Sequence, residues 1–148
     1  MIMRILILIP VLLIGCHKNE PGPKAPEPPA AAAATTITAQ VDQGKQLYVD
    51  KCSKCHGDAG QGVPDKGPPV VGPGAFPQKP RQGAKRDVEF HTAADVFAWA
   101  SKHMPGNAPG SLTTDEYLAI FAFDLTANGI KLEKPLDGPA AQAIVLHP

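Results

Sequence analysis

"KCSKCHGDAG", residues 51–60, places two thiols and an imidazole, Cys52, Cys55 and His56, within five residues. On an α-helix, residues three and four apart are neighbours on one face, so a helical reading of this stretch gathers all three groups on one side. The chain holds only three cysteines and commits two of them here. Three kinds of chemistry use such a cluster: a redox dithiol, a metal site, or an attachment point for a larger group with the imidazole beneath it.

The flanking sequence supplies the setting. Residues 41–52, "VDQGKQLYVDKC", space Val41, Gly44, Leu47, Tyr48 and Cys52 at helical intervals. A second helix is expected at Thr92, where Thr92 and Asp95 form a cap-plus-acid pair before "ADVFAWASK", with Met104-Pro105 just past its end. In the third, Thr113 and Glu116 make a capping box, Leu112 and Tyr117 are placed as a hydrophobic staple, and Asn128-Gly129 stops the run "EYLAIFAFDL". Tyr117, Phe121 and Leu125 form its core stripe. No alternating apolar run suggests a sheet, so the expected fold class is all-α, three to four short helices. Gly57 to His91 is dense in Gly and Pro and reads as loop; a loop of that length usually wraps something functional. A domain of about 90 residues with few aromatics has a thin core, which a large apolar body inside would fill.

C-x-x-C-H is the attachment signature of a c-type haem, with thioethers at Cys52 and Cys55 and His56 as proximal iron ligand. A thioredoxin-like dithiol needs a preceding strand and a βαβ setting, and neither is visible. Structural zinc needs four ligands, and no second ligand cluster follows. A disulfide between Cys52 and Cys55 is the bland alternative.

Over about residues 41–131 the chain resembles the small class I cytochromes c. Gly44, Tyr48, Cys52, Cys55 and His56 stand at that family's spacing, and "GPPVVG", residues 67–72, looks like its glycine-proline loop. The resemblance implies a cytochrome c fold around one covalent haem c. It also implies a close crossing of the first and last helices at Gly44, near Ile120 and Phe123. By the same resemblance, the carbonyl of Pro68 accepts a hydrogen bond from the second ring nitrogen of His56. "MPGNAPGSLTTDEYLAIFAFDLTANG", residues 104–129, also looks like cytochrome domains serving bacterial periplasmic dehydrogenases.

The distal ligand has few candidates. Once an expected leader is removed, Met104 is the remaining methionine, forty-eight residues beyond His56 and directly before a proline, as in the family's ligand loop. His103 is its main competitor, and Met104 as a core filler the plain alternative. His91 and His147 are expected to be exposed without a role. Trp99 is expected in the core, with a haem-edge contact as the sharper option. Lys79, Arg81, Lys85 and Arg86 form a basic loop, read first as solvated and second as a pairing or steering surface.

Outside the domain, Arg4 followed by the ten apolar residues Ile5 to Ile14 reads as a signal peptide, too short to span a bilayer. "LIGC", Leu13 to Cys16, resembles the cleavage box of bacterial lipoproteins, which would make Cys16 the lipidated residue. The expected organisation is therefore a leader (1–15), a lipidated Cys16 with a Pro/Ala-rich tether (16–40), the cytochrome domain (41–132) and a loose C-terminal tail (133–148). Extended, the tether would reach on the order of 70 Å.

Fourteen basic residues balance fourteen acidic ones, which argues against nucleic acid. The expected function is a membrane-tethered periplasmic monohaem electron carrier rather than an enzyme. It would be a monomer, meeting a periplasmic dehydrogenase, an oxidase or another cytochrome on the periplasmic side of a bacterial membrane. His17 after the cysteine, in place of aspartate, leans toward the outer membrane. The alternatives are a haem sensor or small haem enzyme with an open or His-ligated distal site, and a thiol oxidoreductase.

Overall fold

The computed structural model describes residues 34–147; the expected leader, Cys16 and tether residues 17–33 lie outside them. Five helices follow in order: α1 (Ile37–Lys51), α2 (Ser53–His56), α3 (Ala93–His103), α4 (Thr114–Ala127) and α5 (Gly138–Ala143). Among the described residues, β structure is limited to the isolated bridges Val63–Gly67 and Thr92–Val145. The fold is all-α, as the missing alternation predicts.

Capping decides where the helices begin. Thr92 and Asp95 close a full capping box at α3, and Thr113 and Glu116 another at α4, each threonine accepting from the backbone three residues on. α1 starts earlier than the spacing from Val41 suggests. Thr36 accepts from the Ala39 amide at 3.2 Å and opens the helix at Ile37, inside the stretch expected to be tether.

α4 is the central helix: Tyr117 to Ala122, Asp124 and Leu125 are all buried, the pattern of a helix covered on several sides. α1 crosses it at Gly44, where a Cβ would run into the Ala119 carbonyl. One turn on, Tyr48 packs against Phe123 with ring centroids 5.3 Å apart. α3 lays Ala93 and Val96 into a core with Phe76, Phe90, Phe121, Ala122 and Leu125.

The tail is not loose. Gln40 on α1 donates to the Leu136 carbonyl at 3.0 Å and accepts the Leu136 amide at 2.7 Å, burying Leu136 beside α4. Asp137 caps α5, whose Ala141 is fully buried. The Ile144 carbonyl then takes the Ala93 amide at 2.9 Å, and the Leu146 amide reaches the His91 carbonyl at 2.8 Å. Nor is His147 idle: half-buried, it donates Nε2–H to the Phe76 carbonyl at 2.7 Å.

The basic loop also divides. Lys79, Arg81 and Lys85 are exposed, but Arg86 is buried. Its guanidinium donates to the carbonyls of Pro77, Gln78 and Val88 at 2.7, 3.0 and 2.6 Å and lies 3.8 Å over the Phe90 ring. It ties the loop shut, which a planar five-donor group does better than an ammonium.

Candidate functional site

α1 runs into α2 through Cys52. Its amide donates to the Tyr48 carbonyl at 2.8 Å, and its carbonyl accepts from Cys55 at 3.0 Å and His56 at 2.9 Å. The two thiols and the imidazole therefore stand on one short turn. Cys52 and His56 are half-buried, Cys55 is exposed, and both thiols are free.

The loop after the turn folds back on it. His56 Nδ1 lies 2.7 Å from the Pro68 carbonyl. A carbonyl only accepts, so Nδ1 carries the hydrogen; in the neutral ring Nε2 then keeps a lone pair, the state an imidazole needs to bind a metal. Gly67 allows this approach, since a Cβ there would fall 2.7 Å from the Cys55 carbonyl. Asn128, read in the sequence only as a helix stop, pins the same loop: it donates to the Val70 carbonyl at 2.8 Å and accepts the Gly72 amide at 3.0 Å.

Met104 stands on a different element. It caps α3, is half-buried, and its carbonyl receives the Tyr117 hydroxyl from α4. Its neighbour His103 points elsewhere: the ring stacks on Trp99 at 4.6 Å and 14°, with Nδ1–H on the Trp99 carbonyl at 2.7 Å. Trp99 also meets Phe90 edge-on at 6.4 Å, which accounts for it as packing.

Burial, then the neighbouring Asp124, then Cys55 push the Cys52 thiol up to about 12. A redox dithiol works through a thiolate, and burial disfavours that form at Cys52. The donor set fits a covalently attached haem better than a redox dithiol: two free thiols, an imidazole with Nε2 available, and a thioether on a separate element.

Two residues here escape sequence reasoning. Arg86 is hidden in a run of exposed cations. Asp124 sits on α4 facing Tyr48 and Cys52, 5 % exposed, with Oδ1 unpartnered. The available signal was an acid inside an apolar helix, four residues after Ile120.

The fold and this turn define a haem-attachment domain, and comparison with known proteins agrees. The cytochrome c family profile matches residues 41–126, and the chain belongs to that family. It thus carries covalently bound haem c and serves electron transfer. It is 45 % identical over 49 residues to a cytochrome bc1 complex cytochrome c subunit of Mycobacterium bovis, a match covering 33 % of this chain and 18 % of that one. It is 30 % identical over 109 residues to a thiosulfate dehydrogenase of Psychrobacter arcticus, covering 73 % of this chain and 32 % of that one. Among solved structures it resembles the sulfane dehydrogenase SoxCD of Paracoccus pantotrophus, with TM-score 0.55, 28 % identity, and 72 % and 52 % of the two chains covered. In each case the match spans well under two thirds of the relative.

Proposed function

We propose that this chain is a membrane-tethered, periplasmic one-electron carrier, without a substrate of its own. In this reading haem c is joined to Cys52 and Cys55, with His56 and Met104 as axial ligands. The observation that carries it is the hydrogen bond from His56 Nδ1 to the Pro68 carbonyl, because it orients the imidazole and raises its basicity toward a metal at Nε2. When bound, the haem supplies a one-electron couple, and a methionine thioether opposite histidine raises its potential. Pro68 and Asn128 hold the proximal side, and Tyr117 anchors the Met104 backbone. His103 would have to leave both its stack on Trp99 and its bond to the Trp99 carbonyl to compete; Met104 gives up no such contact.

Optical spectra test the ligation. The oxidised protein should be low-spin and show the weak far-red sulfur-to-iron band, and Met104→Ala should lose that band and lower the potential. A high-spin wild-type spectrum would instead support the sensor or small-enzyme reading.

The redox relatives support partners of the same class, such as a periplasmic dehydrogenase, an oxidase or another cytochrome, met briefly through a small interface. Lipidation at Cys16, outside the described residues, would keep the carrier near those partners and raise their effective concentration. Cys16→Ala should then release the protein from the membrane fraction into the periplasm. Unchanged membrane association in that variant would overturn the anchor.

A further inference from the structure

Among the described residues, three polar side chains are buried: Gln40, Arg86 and Asp124. Gln40 is bonded at both amide atoms to Leu136, and Arg86 reaches three carbonyls. Asp124 is the exception, for its Oδ1 has no partner. An uncompensated carboxylate in an apolar setting is costly. Burial accordingly raises this carboxyl well above its ordinary range.

Its surroundings are specific. Tyr48 from α1 and Cys52 from the join of α1 and α2 lie close enough that its charge raises both of their pKa values. The Tyr48 hydroxyl donates to the Gly57 carbonyl at 2.8 Å, so it is already occupied. Asp58, just beyond α2, acts on the Tyr48 hydroxyl. From α3, the buried residues packed toward α4 are Ala93 and Val96, which carry no charge. Asn128 donates at 2.7 Å to the Asp124 backbone carbonyl and not to Oδ1. The acid is thus buried near one of the two attachment thiols, and among the described residues no cation pairs with it.

We infer that Asp124 is a redox-linked proton site, binding one proton from solvent as one electron enters the haem and releasing it as the electron leaves. The inference rests on the proposed attachment at Cys52. The electron comes from the redox partner and the proton from water; one O–H bond forms at the carboxylate on reduction and breaks on oxidation. The sign follows from Coulomb's law in a medium of low dielectric. The oxidised iron carries one more positive charge and favours the carboxylate, while reduction removes that charge and favours the acid. The ionised carboxylate therefore stabilises the oxidised form, and the midpoint potential falls as pH rises.

The test is a potentiometric titration of the intact haem protein from mildly acid to mildly alkaline pH, for wild type, Asp124→Asn and Asp124→Leu. Wild type should show a pH-dependent segment whose slope approaches a tenfold change in the couple per pH unit, about 59 mV for one electron. Both variants should lose that segment and hold the higher, acid-limit potential throughout. Asn keeps the shape and Leu removes the buried polar group, so a folding failure in one leaves the other to decide. Any group that titrates independently of Asp124 does so in all three proteins and cancels in the comparison. Equal slopes in wild type and variants would overturn the inference while leaving the carrier reading intact. A wild-type protein whose haem is released on denaturation would overturn both.

Discussion

The double variant Cys52→Ala/Cys55→Ala is expected to carry no covalent haem: colour should leave the polypeptide completely under denaturing electrophoresis, where wild type keeps it. The proposed ligands His56 and Met104 remain, so on that reading some haem would still be held by coordination, and acidic organic solvent should extract it. The fold should suffer too. Among the described residues Tyr48 and Leu125 are the largest side chains fully buried, and Cys52 lies half-buried at the join of α1 and α2. Domains of this size have a net stability of only about 5–15 kcal/mol. Losing a covalently fixed body from a thin core should consume a large part of that, read as a lower denaturant midpoint. The single variant Cys55→Ala changes an exposed position and should keep haem through Cys52. Persistence of colour in the denatured double variant would show that the attachment lies elsewhere.

How much of this was legible beforehand depends on the range of the interaction. Local signals read well. Thr92 with Asp95 and Thr113 with Glu116 announce helix starts because a side chain meets a backbone amide three residues away. The cysteine-histidine turn is equally local. The sequence shows α1 beginning late because Thr36 caps without an acidic partner, after a run of alanines that carries no periodicity. The tail reads as loose in the sequence for a different reason. What holds it is Gln40 meeting Leu136 across ninety-six positions, a contact with no local trace. Arg86 and Asp124 are the same lesson in charge: composition places cations and acids outside, and only the folded surroundings show one bonded to three carbonyls and the other left unpaired.

Gly44→Val is expected to be the most damaging single substitution in the helix pair. Gly in a helix interior costs roughly 1 kcal/mol relative to Ala, so propensity alone would favour replacing it. The crossing overrules propensity, because the atom a Cβ would meet is the Ala119 carbonyl inside α4, and a helical backbone cannot swing aside as a side chain can. The helices must instead move apart, loosening the Tyr48–Phe123 contact one turn away. Overpacking costs about 1–3 kcal/mol, occasionally more. With backbone as the obstacle, we expect Gly44→Ala at about 2 kcal/mol net loss and Gly44→Val above about 3 kcal/mol. Urea unfolding of the haem protein measures this as a lower midpoint at unchanged slope. Gly106→Ala, where a Cβ meets nothing within 4 Å, should shift stability by no more than about 0.5 kcal/mol. Equal midpoints for Gly44→Ala and Gly106→Ala would mean that the close crossing does not exist in solution. Should the loss appear, the potential ought to change with it if Asp124 acts as proposed, because the crossing at Gly44 sets how near Cys52, at the end of α1, stands to Asp124 on α4.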